Sequence, residues 1–439
     1  MNSGSRALNA RDIALPDGFA AEVFLKGLTT PIDIEFADDG SLYIGDAGIV
    51  SGNGKVFRAI QGGVETVADG FNPPLTGLTL HNGKIFVSHR GYVTAIHQDG
   101  SAENVIGGLP SWGDHHNNKV VFGPDGRMYF GQGTATNSAV VGLDNVSWVR
   151  RFPYFHDYPG SSLTLAGENF TTPDVFGNVP GENAVTGSYA PFGVPVFKGQ
   201  TVNGIVRASG SILSANEDGS DLRLVAWGLR NPFRLAFDRS GRLLATNHGM
   251  DVRGSRPVAN SPDEFHYIAH GAWYGWPDFT GGLPVVMPQF KPADGPQPRF
   301  VLANHPMIPP KPFAAFAPHS AIMGFDFNYG ASFPGYGNVY IAEFGSQAPG
   351  AAGGAPAPDV GHRVSVIEMD SGNILAFAMN RSGAAASRTG EDGFERPTDA
   401  RFGPDGALYV ADFGAAAGGP DGVVWRIART RGGGPQPKK

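Results

Sequence analysis

Residue types that can move a proton or stabilise negative charge occur together in three short runs of this chain. Asp114 and His115 lie in the run DHHNN, Arg230 and Asn231 lie in GLRNP, and His248 lies in NHGMD. An imidazole titrates near neutral pH and can act as a general base, and a guanidinium stabilises developing negative charge. If the fold brings the three runs together, the sequence predicts an active site of this kind.

Two of these runs flank one hairpin. The apolar runs 233–237 and 243–245 are separated by the short turn Arg239-Ser240-Gly241, a pattern typical of an antiparallel pair of strands. The residues before the first strand and after the second emerge at the same end of a hairpin. We therefore expect Arg230 and Asn231 to lie beside Asn247 and His248.

The hairpin belongs to a repeat. The same apolar run, turn and second apolar run recur at residues 36–47, 80–91, 121–133, 236–249, 325–346 and 400–414. The turn glycines Gly40, Gly83 and Gly126 are each 43 residues apart, which is a blade length typical of β-propellers. The sequence thus predicts an all-β fold, a six-bladed β-propeller with four strands in each blade.

Further strands complete the predicted blades. Short alternating segments follow the hairpins at residues 55–60, 92–100, 205–209, 364–372 and 423–427. We expect the N-terminal strand at residues 21–28 to pair with the last blade, because closing the ring removes exposed strand edges.

One domain at residues 11–430 accounts for the repeat. Three insertions interrupt it, at residues 134–201, 277–318 and 347–359, and we expect all three on the face that carries Arg230 and His248. The glycine- and proline-rich tail, residues 431–439, is predicted to be disordered.

Composition excludes several classes of protein. The 439 residues carry a formal net charge of −7 and show no basic patch, so a nucleic-acid partner is not expected. There is no cysteine for disulfide or thiol chemistry, and no apolar run approaches the roughly 18 residues of a membrane span. The N-terminal run MNSGSRALNA has no apolar core typical of a signal peptide, so the protein is either cytoplasmic or its signal peptide is absent from this sequence. Only 17% of the residues are charged, with 64 glycines and 35 prolines, and this favours the second alternative, a periplasmic or secreted protein.

The hairpin rule, applied to every blade, predicts that many polar side chains gather at one end of the propeller. Beside the residues already named, they include His89, Arg90, Gln132, His319, Glu343, Arg396, Thr398 and Asp412. A concave site with a few convergent polar groups is the usual place for a ligand.

Several of these segments also resemble a known family. The stretches DHHNNKVVFGPDGRMYFGQG, GLRNPFRLAFD, NHGMD, GAWYGWP, HSAIMGFDF and FERPTDARFGPDGALYVADFG are similar to those of the soluble quinoprotein glucose/sorbosone dehydrogenases. The resemblance is nearest to the sorbosone and pyranose dehydrogenase branch. It implies a six-bladed propeller that holds pyrroloquinoline quinone (PQQ) and Ca²⁺ and oxidises a sugar or another alcohol, passing electrons to an external acceptor.

The resemblance also implies roles for individual residues. His115 would be the general base, with Asp114 beside it, and Arg230 would stabilise negative charge on the quinone. The implied cofactor contacts are Asn231, His248 and Arg396, to which the rim position adds Gln132 and Thr398. The backbone carbonyls of Gly249 and Met250 would hold Ca²⁺.

Three positions depart from the family pattern. Met250 stands where proline is frequent, residues 341–349 lack the lysine of the glucose-oxidising branch, and Thr398 stands in place of an arginine. The last two changes remove positive charge from the expected binding site of the cofactor carboxylates.

Two other functions fit the same residues. A propeller hydrolase, for example a lactonase, could hold a metal ion with ligands chosen from His89, His115, His248, His319, Glu343 and Asp412. A binding propeller without catalytic activity is the third alternative.

Overall fold

The computed structural model of the chain describes residues 6–177, 181–346, 359–415 and 419–430. The chain divides into two compact units, residues 1–80, 320–346 and 359–439 in the first and residues 81–319 and 347–358 in the second. The single domain at residues 11–430 stays a prediction. The tail 431–439 and nearly all of the predicted insertion 347–359 lie outside the described residues.

The predicted six-bladed β-propeller is confirmed, with one antiparallel sheet for each blade. Blade 1 consists of Pro31–Phe36, Leu42–Asp46, Gly54–Ile60 and Gly63–Phe71. Blade 2 consists of Leu75–His81, Lys84–His89, Tyr92–Ile96 and Ala102–Ile106. Blade 3 consists of Val121–Phe122, Met128–Gln132, Ser211–Ala215 and Arg223–Trp227. Blade 4 consists of Pro232–Phe237, Leu243–Asn247, Asp263–Tyr267 and Ala314–Phe316. Blade 5 consists of Ile322–Phe327, Val339–Glu343, Arg363–Ile367 and Ile374–Asn380, and Ile13–Ala14 adds a fifth strand. Blade 6 consists of Pro397–Phe402, Leu408–Asp412, Gly422–Arg429 and Phe19–Leu28.

Each unit has its own apolar core. In the first unit, Tyr340, Phe394 and Trp425 are fully buried in one cluster. In the second unit, Trp273 and Phe290 are at the centre of another. Trp273 and Trp276 of the GAWYGWP segment are buried in this cluster against residues of the two insertions, whereas Tyr274 of the same segment is buried against Leu235 and Ala245 of blade 4.

The predicted N-terminal strand pairs as expected. Phe19–Leu28 runs antiparallel to Gly422–Arg429, with Phe19 opposite Arg429 and Leu28 opposite Gly422. The first and last parts of the chain thus share the sheet of blade 6, which gives the outer edge of Gly422–Arg429 a partner.

One predicted strand is wrong. Residues 205–209 form no strand, and the third strand of blade 3 is Ser211–Ala215 instead. All five residues of that strand are buried, whereas the Ile205 and Val206 side chains are 41% and 46% exposed. The apolar alternation at 205–209 does not face a core, and this explains the error.

Two of the predicted insertions contain ordered structure. Segment 134–201 holds the 3-10 turn Leu143–Asn145, the helix Val146–Val149, the strand pair Asn169–Pro173 with Asn183–Gly187, and the strand Leu163–Thr164, which pairs with Thr201–Val202. Segment 277–318 holds Phe279–Thr280, Leu283–Pro284 and the turn Pro288–Phe290. It also ends with Ala314–Phe316, the fourth strand of blade 4, so the insertion is shorter than predicted.

The other helical elements within the described residues are the turn Ala10–Asp12 and the short helix Ala386–Thr389. Among the described residues, no helix is both long and apolar enough to cross a membrane.

Blades 3 and 4 meet closely at Gly131, which generates a stability prediction. A Cβ at Gly131 would lie 1.8 Å from the carbonyl oxygen of Pro232. We expect Gly131→Ala to lower the free energy of unfolding by about 1–3 kcal/mol through overpacking. Urea denaturation would measure the change. The matched control is Gly63→Ala, because a Cβ at this strand residue meets no atom within 4 Å; equal destabilisation of both variants would contradict the packing argument.

Candidate functional site

The blade 4 hairpin brings its polar ends together as the sequence predicts. Pro232 lies opposite Asn247 in the sheet. The Asn247 Oδ1 atom accepts hydrogen bonds from the backbone N–H groups of Arg230 and Asn231, each at 3.0 Å. The Asn231 Nδ2 atom lies 3.0 Å from the Nδ1 atom of His248. The hairpin therefore fixes a guanidinium, an amide and an imidazole at one end of the sheet.

Similar hydrogen bonds, from the segment that precedes a blade to a polar side chain at the end of its second strand, occur in the first unit, where they stabilise the fold. The Asp46 carboxylate, at the end of the second strand of blade 1, accepts hydrogen bonds from Thr30 N and Thr30 Oγ1. The Asp412 carboxylate, at the matching position of blade 6, accepts from the backbone of Glu395 and Arg396. These polar side chains hold the loop that enters each blade, so the position alone does not make a residue part of a site.

His115 is attached to the Arg230 loop through one short stretch of backbone. The N–H of Thr134 donates to the carbonyl of Arg230 at 2.9 Å, and the N–H of His115 donates to the carbonyl of Thr134 at 3.1 Å. A Cβ at Gly133 would lie 2.3 Å from the His115 Cβ and 2.7 Å from the Asn231 Oδ1. The structure thus places the predicted base and the predicted cofactor contact on either side of one glycine.

The hydrogen bonds of His115 define its tautomer. The ring Nδ1 lies 3.0 Å from the carbonyl oxygen of Thr134, and the Thr134 hydroxyl donates to the carbonyl of Thr136 at 2.7 Å. Nδ1 must therefore carry a proton, which leaves the lone pair on Nε2. None of the described residues makes a hydrogen bond to that Nε2.

His115 is also held in its neutral form. Burial lowers its pKa well below the ordinary value of 6.5, and the positive charges of Arg230 and Arg253 lower it further. A neutral imidazole with a free Nε2 lone pair can accept a proton at neutral pH.

Arg230 is buried and only partly neutralised. Its Nη2 atom lies 2.7 Å from the Asp251 Oδ2, and its Nε donates to the carbonyl of Asn137 at 3.3 Å. Its Nη1 atom has no hydrogen-bond partner among the described residues. Arg230 is an ion-pair partner, and it also offers a free donor.

A second arginine connects the acidic groups of this region. Arg253 forms ion pairs with Asp114 at 2.7 Å, with Asp144 at 2.8 Å and with Asp251 at 3.2 Å. Burial, followed by repulsion from Asp114, raises the pKa of Asp144 to about 6. Burial opposes ionisation of Asp251 too, but Arg230, His319 and Arg253 together outweigh it and hold that pKa below its usual value.

The carboxylate of Asp114 faces Arg253 and shows no contact with His115. Its Oδ1 accepts hydrogen bonds from the Asn145 Nδ2 at 3.0 Å and the Trp148 Nε1 at 2.9 Å, and its Oδ2 pairs with Arg253. A catalytic role for Asp114 stays a prediction; the contacts give it a positioning role.

Sequence reasoning missed four members of this cluster, Asn137, Asp144, Asp251 and Arg253. Two of them lie within five residues of His248, in the run GMDVRG. An acid and a base so soon after a predicted site histidine were the available signal. Asn137 and Asp144 lie in an insertion whose sequence has no readable pattern.

The remaining predicted cofactor contacts differ in what they offer. The Gln132 Nε2 atom donates to the carbonyls of Pro110 and Gly133, at 3.1 and 3.0 Å. The buried Thr398 hydroxyl donates to the carbonyl of Pro31 at 2.9 Å. The fold already uses both groups, and their roles at a cofactor stay predictions.

Arg396, in the first unit, keeps binding capacity. Its Nη1 atom donates to the carbonyl of Ala415 at 3.2 Å, and its guanidinium carbon lies 5.6 Å from the centroid of the Phe344 ring. Its buried Nε has no hydrogen-bond partner, and no described carboxylate pairs with it. An unpaired guanidinium of this kind suits an anionic ligand.

The predicted Ca²⁺ ligands have suitable atoms. The N–H of Gly249 donates to the Asp263 Oδ1, and the N–H of Met250 donates to the Ser261 Oγ, both at 2.7 Å. No hydrogen bond from the described residues reaches the carbonyl oxygen of Gly249 or Met250. Two adjacent oxygen donors near an acidic residue suit a hard cation.

A metal-dependent hydrolase has no comparable support. Over the described part of the chain, no group of three or more His, Asp or Glu side chains is arranged to hold a metal ion. The His89 Nε2 atom lies 2.8 Å from the Thr94 hydroxyl, and Glu343 pairs with Arg363 at 2.8 Å.

Comparison with known proteins confirms the resemblance seen in the sequence. The chain is 26% identical to quinoprotein glucose dehydrogenase B of Acinetobacter calcoaceticus over 186 residues, which is 40% of this chain but only 29% of that relative's length. No family model matches the sequence.

Solved structures confirm the fold along nearly the whole chain. The holo form of the PQQ domain of a pyranose dehydrogenase from Coprinopsis cinerea superposes with a TM-score of 0.57 at 16% identity, covering 95% of this chain and 97% of the other. A calcium structure of a Carbohydrate-Active Enzymes Family AA12 protein from Trichoderma reesei gives a TM-score of 0.55 at 16% identity, covering 98% and 100%.

A buried acid supports the backbone next to His115. The Asp157 carboxylate accepts hydrogen bonds from the Ala135 N–H at 2.6 Å and the Thr136 hydroxyl at 2.5 Å. Burial is the main cause that raises the pKa of Asp157 to about 7. Below about pH 7 the folded protein therefore favours the protonated acid over the carboxylate.

This raised pKa predicts how stability changes with pH. Between about pH 4 and pH 7 the folded chain binds more protons at Asp157 than the unfolded chain does, so this group makes the free energy of unfolding fall as pH rises. We expect Asp157→Asn to remove that contribution, so that its stability relative to wild type improves steadily from pH 4 to pH 7. Urea denaturation of both proteins over this range tests it; a pH-independent difference would contradict the prediction.

Proposed function

We propose that this protein is a PQQ- and Ca²⁺-dependent dehydrogenase that oxidises an aldose, a sugar derivative or another alcohol. One observation carries the proposal: a neutral His115 with a free Nε2 is fixed next to the Arg230 loop, and the Arg230 guanidinium keeps a free Nη1. Oxidation of an alcohol needs a base that takes the hydroxyl proton. It also needs a cation that stabilises the negative charge on the group that receives the hydride.

The described residues fit the cofactor. When bound, PQQ supplies the two-electron acceptor for the hydride. Its carboxylates suit the unpaired guanidinium of Arg396, and the free carbonyl oxygens of Gly249 and Met250 suit Ca²⁺. Asn231, His248, Gln132 and Thr398 complete the proposed set of contacts.

His115 carries the proton-transfer step in this proposal. Its Nε2 accepts the proton of the substrate hydroxyl, while the Nδ1–H bond to Thr134 keeps the ring in orientation. Arg230 donates from Nη1 to the group on which negative charge develops, and Asp251 holds the other side of the guanidinium. Asp114 acts through Arg253, which it positions.

The proposal includes an external electron acceptor, since the reduced cofactor must be reoxidised for turnover. It also includes a location in the periplasm or outside the cell.

Substitution of the base tests the mechanism directly. We expect His115→Gln to lower kcat about 10²- to 10⁴-fold, because the proton acceptor is lost. The measurement is dye reduction with a panel of aldoses and alcohols after addition of PQQ and CaCl₂. PQQ affinity, measured by absorbance titration, should change far less. Wild-type protein that binds no PQQ and oxidises nothing in the panel would refute the proposal and leave a binding propeller.

The state of His115 predicts the pH dependence of turnover. Since its pKa is well below 6.5, the base stays unprotonated as the pH falls through that value. We expect kcat/KM to stay level from pH 8 down past pH 6.5 and to fall only at lower pH. A decline centred at pH 6.5 or above would show that another group, or a differently placed histidine, acts as the base.

A further inference from the structure

Arg90 is a cation without an acidic partner. It follows the second strand of blade 2 and is partly buried, and its Nε atom is buried with no hydrogen-bond partner. No described carboxylate forms an ion pair with it. In a protein with a net charge of −7, a half-buried arginine left unpaired is costly unless it meets a ligand.

A second arginine approaches it from the insertion 134–201. Burial is the first cause that lowers the pKa of Arg90, and the positive charge of Arg151 is the second; no carboxylate compensates. Arg151 is exposed, and its guanidinium makes no hydrogen bond or ion pair with the described residues. Two like charges are thus held near each other in a region that repels cations and attracts anions.

Two aromatic rings lie in the same region, one beside Arg151 and the other beside Gly91, the neighbour of Arg90. A Cβ at Gly91 would lie 4.0 Å from the Trp112 Cζ2 atom. The Trp112 and Phe152 ring centroids are 5.0 Å apart, and the Arg151 guanidinium carbon lies 5.5 Å from the Phe152 centroid. Three residues before Trp112, the N–H of Leu109 donates to the carbonyl of Gly91 at 3.2 Å, and Gly91 directly follows Arg90. Both rings are partly exposed. Aromatic faces that keep some exposure suit the apolar C–H face of a sugar ring.

The cluster adjoins the candidate site in the same unit. His116, the neighbour of His115, has its pKa lowered to about 4 by burial first and by Arg90 second. Its Nδ1 atom lies 2.9 Å from the carbonyl of Ser111, next to Trp112. The nearby Asp114 carboxylate is engaged by Arg253, Asn145 and Trp148 and does not pair with Arg90.

We propose that Arg90 and Arg151, with the Trp112–Phe152 pair, bind the carboxylate of an anionic carbohydrate such as a uronate. The guanidinium groups hold the carboxylate, and the aromatic rings contact the sugar ring. That this ligand is a substrate rests on the proposed dehydrogenase function, whereas its binding does not.

Calorimetric titration of the cofactor-free protein with glucuronate tests the site, with glucose as the neutral control. We expect glucuronate to bind more tightly than glucose, and Arg90→Gln and Arg151→Gln each to raise its Kd roughly 10- to 100-fold, the loss of one charge-assisted pair. Arg150→Gln is the matched control, because it removes a neighbouring exposed arginine, and it should leave the Kd unchanged. Circular dichroism establishes that each variant is folded.

Two results would overturn the proposal. The first is that glucuronate binds no more tightly than glucose, or that neither substitution changes its Kd. Alternatively, Arg90→Gln could weaken PQQ binding and leave glucuronate binding intact, in which case the cluster serves the cofactor. Loss of glucuronate binding with unchanged PQQ affinity supports it. Since the titration needs no turnover, a protein that binds glucuronate but oxidises nothing would sink only the proposed function.

Discussion

The arrangement of the candidate site depends on the sharing of Arg253 among three carboxylates. Asp114 precedes the first strand of blade 3, Asp144 lies in the insertion 134–201, and Asp251 follows the blade 4 hairpin. The Arg253 guanidinium therefore joins three parts of the second unit that are distant in sequence. A buried charge of this kind is tolerated only when its partners compensate the lost hydration, and removal of one partner leaves the others uncompensated. The insertion is therefore electrostatically bound to the hairpin that presents Arg230.

The same charges add to burial in keeping His115, the proposed base, neutral. Arg230 and Arg253 disfavour a protonated His115, although the carbonyl of Thr134 partly favours it. The groups suited to stabilising negative charge in a reaction are thus also the groups that keep the imidazole ready to accept a proton. In the proposed mechanism, one electrostatic arrangement would thus serve both the proton transfer and the stabilisation of negative charge, without a carboxylate in contact with His115.

The sequence was sufficient for what is local and periodic. The six copies of the hairpin predicted six blades, and the 43-residue spacing of turn glycines predicted a propeller. The hairpin rule placed Arg230 and Asn231 beside Asn247 and His248. All of these inferences depend on residues that are neighbours in the sequence. It was insufficient for the charge cluster, since Asp114, Asp144 and Arg253 meet only after the chain has folded. Nor could residue type separate Asp46 and Asp412, which hold backbone loops, from site residues. Ala314–Phe316 has too few residues for a pattern to be visible.

The pairing of Phe19–Leu28 with Gly422–Arg429 has a consequence for the order of synthesis. At roughly 5–20 residues per second, tens of seconds separate the emergence of the two strands from the ribosome. During that interval the N-terminal strand is an open edge that other chains could join. Its charged residues Glu22 and Lys26 disfavour such pairing. In the folded protein, Glu22 forms an ion pair at 2.7 Å with Arg426 on the strand Gly422–Arg429. The nascent chain thus carries protection against aggregation that the finished sheet turns into a cross-strand ion pair.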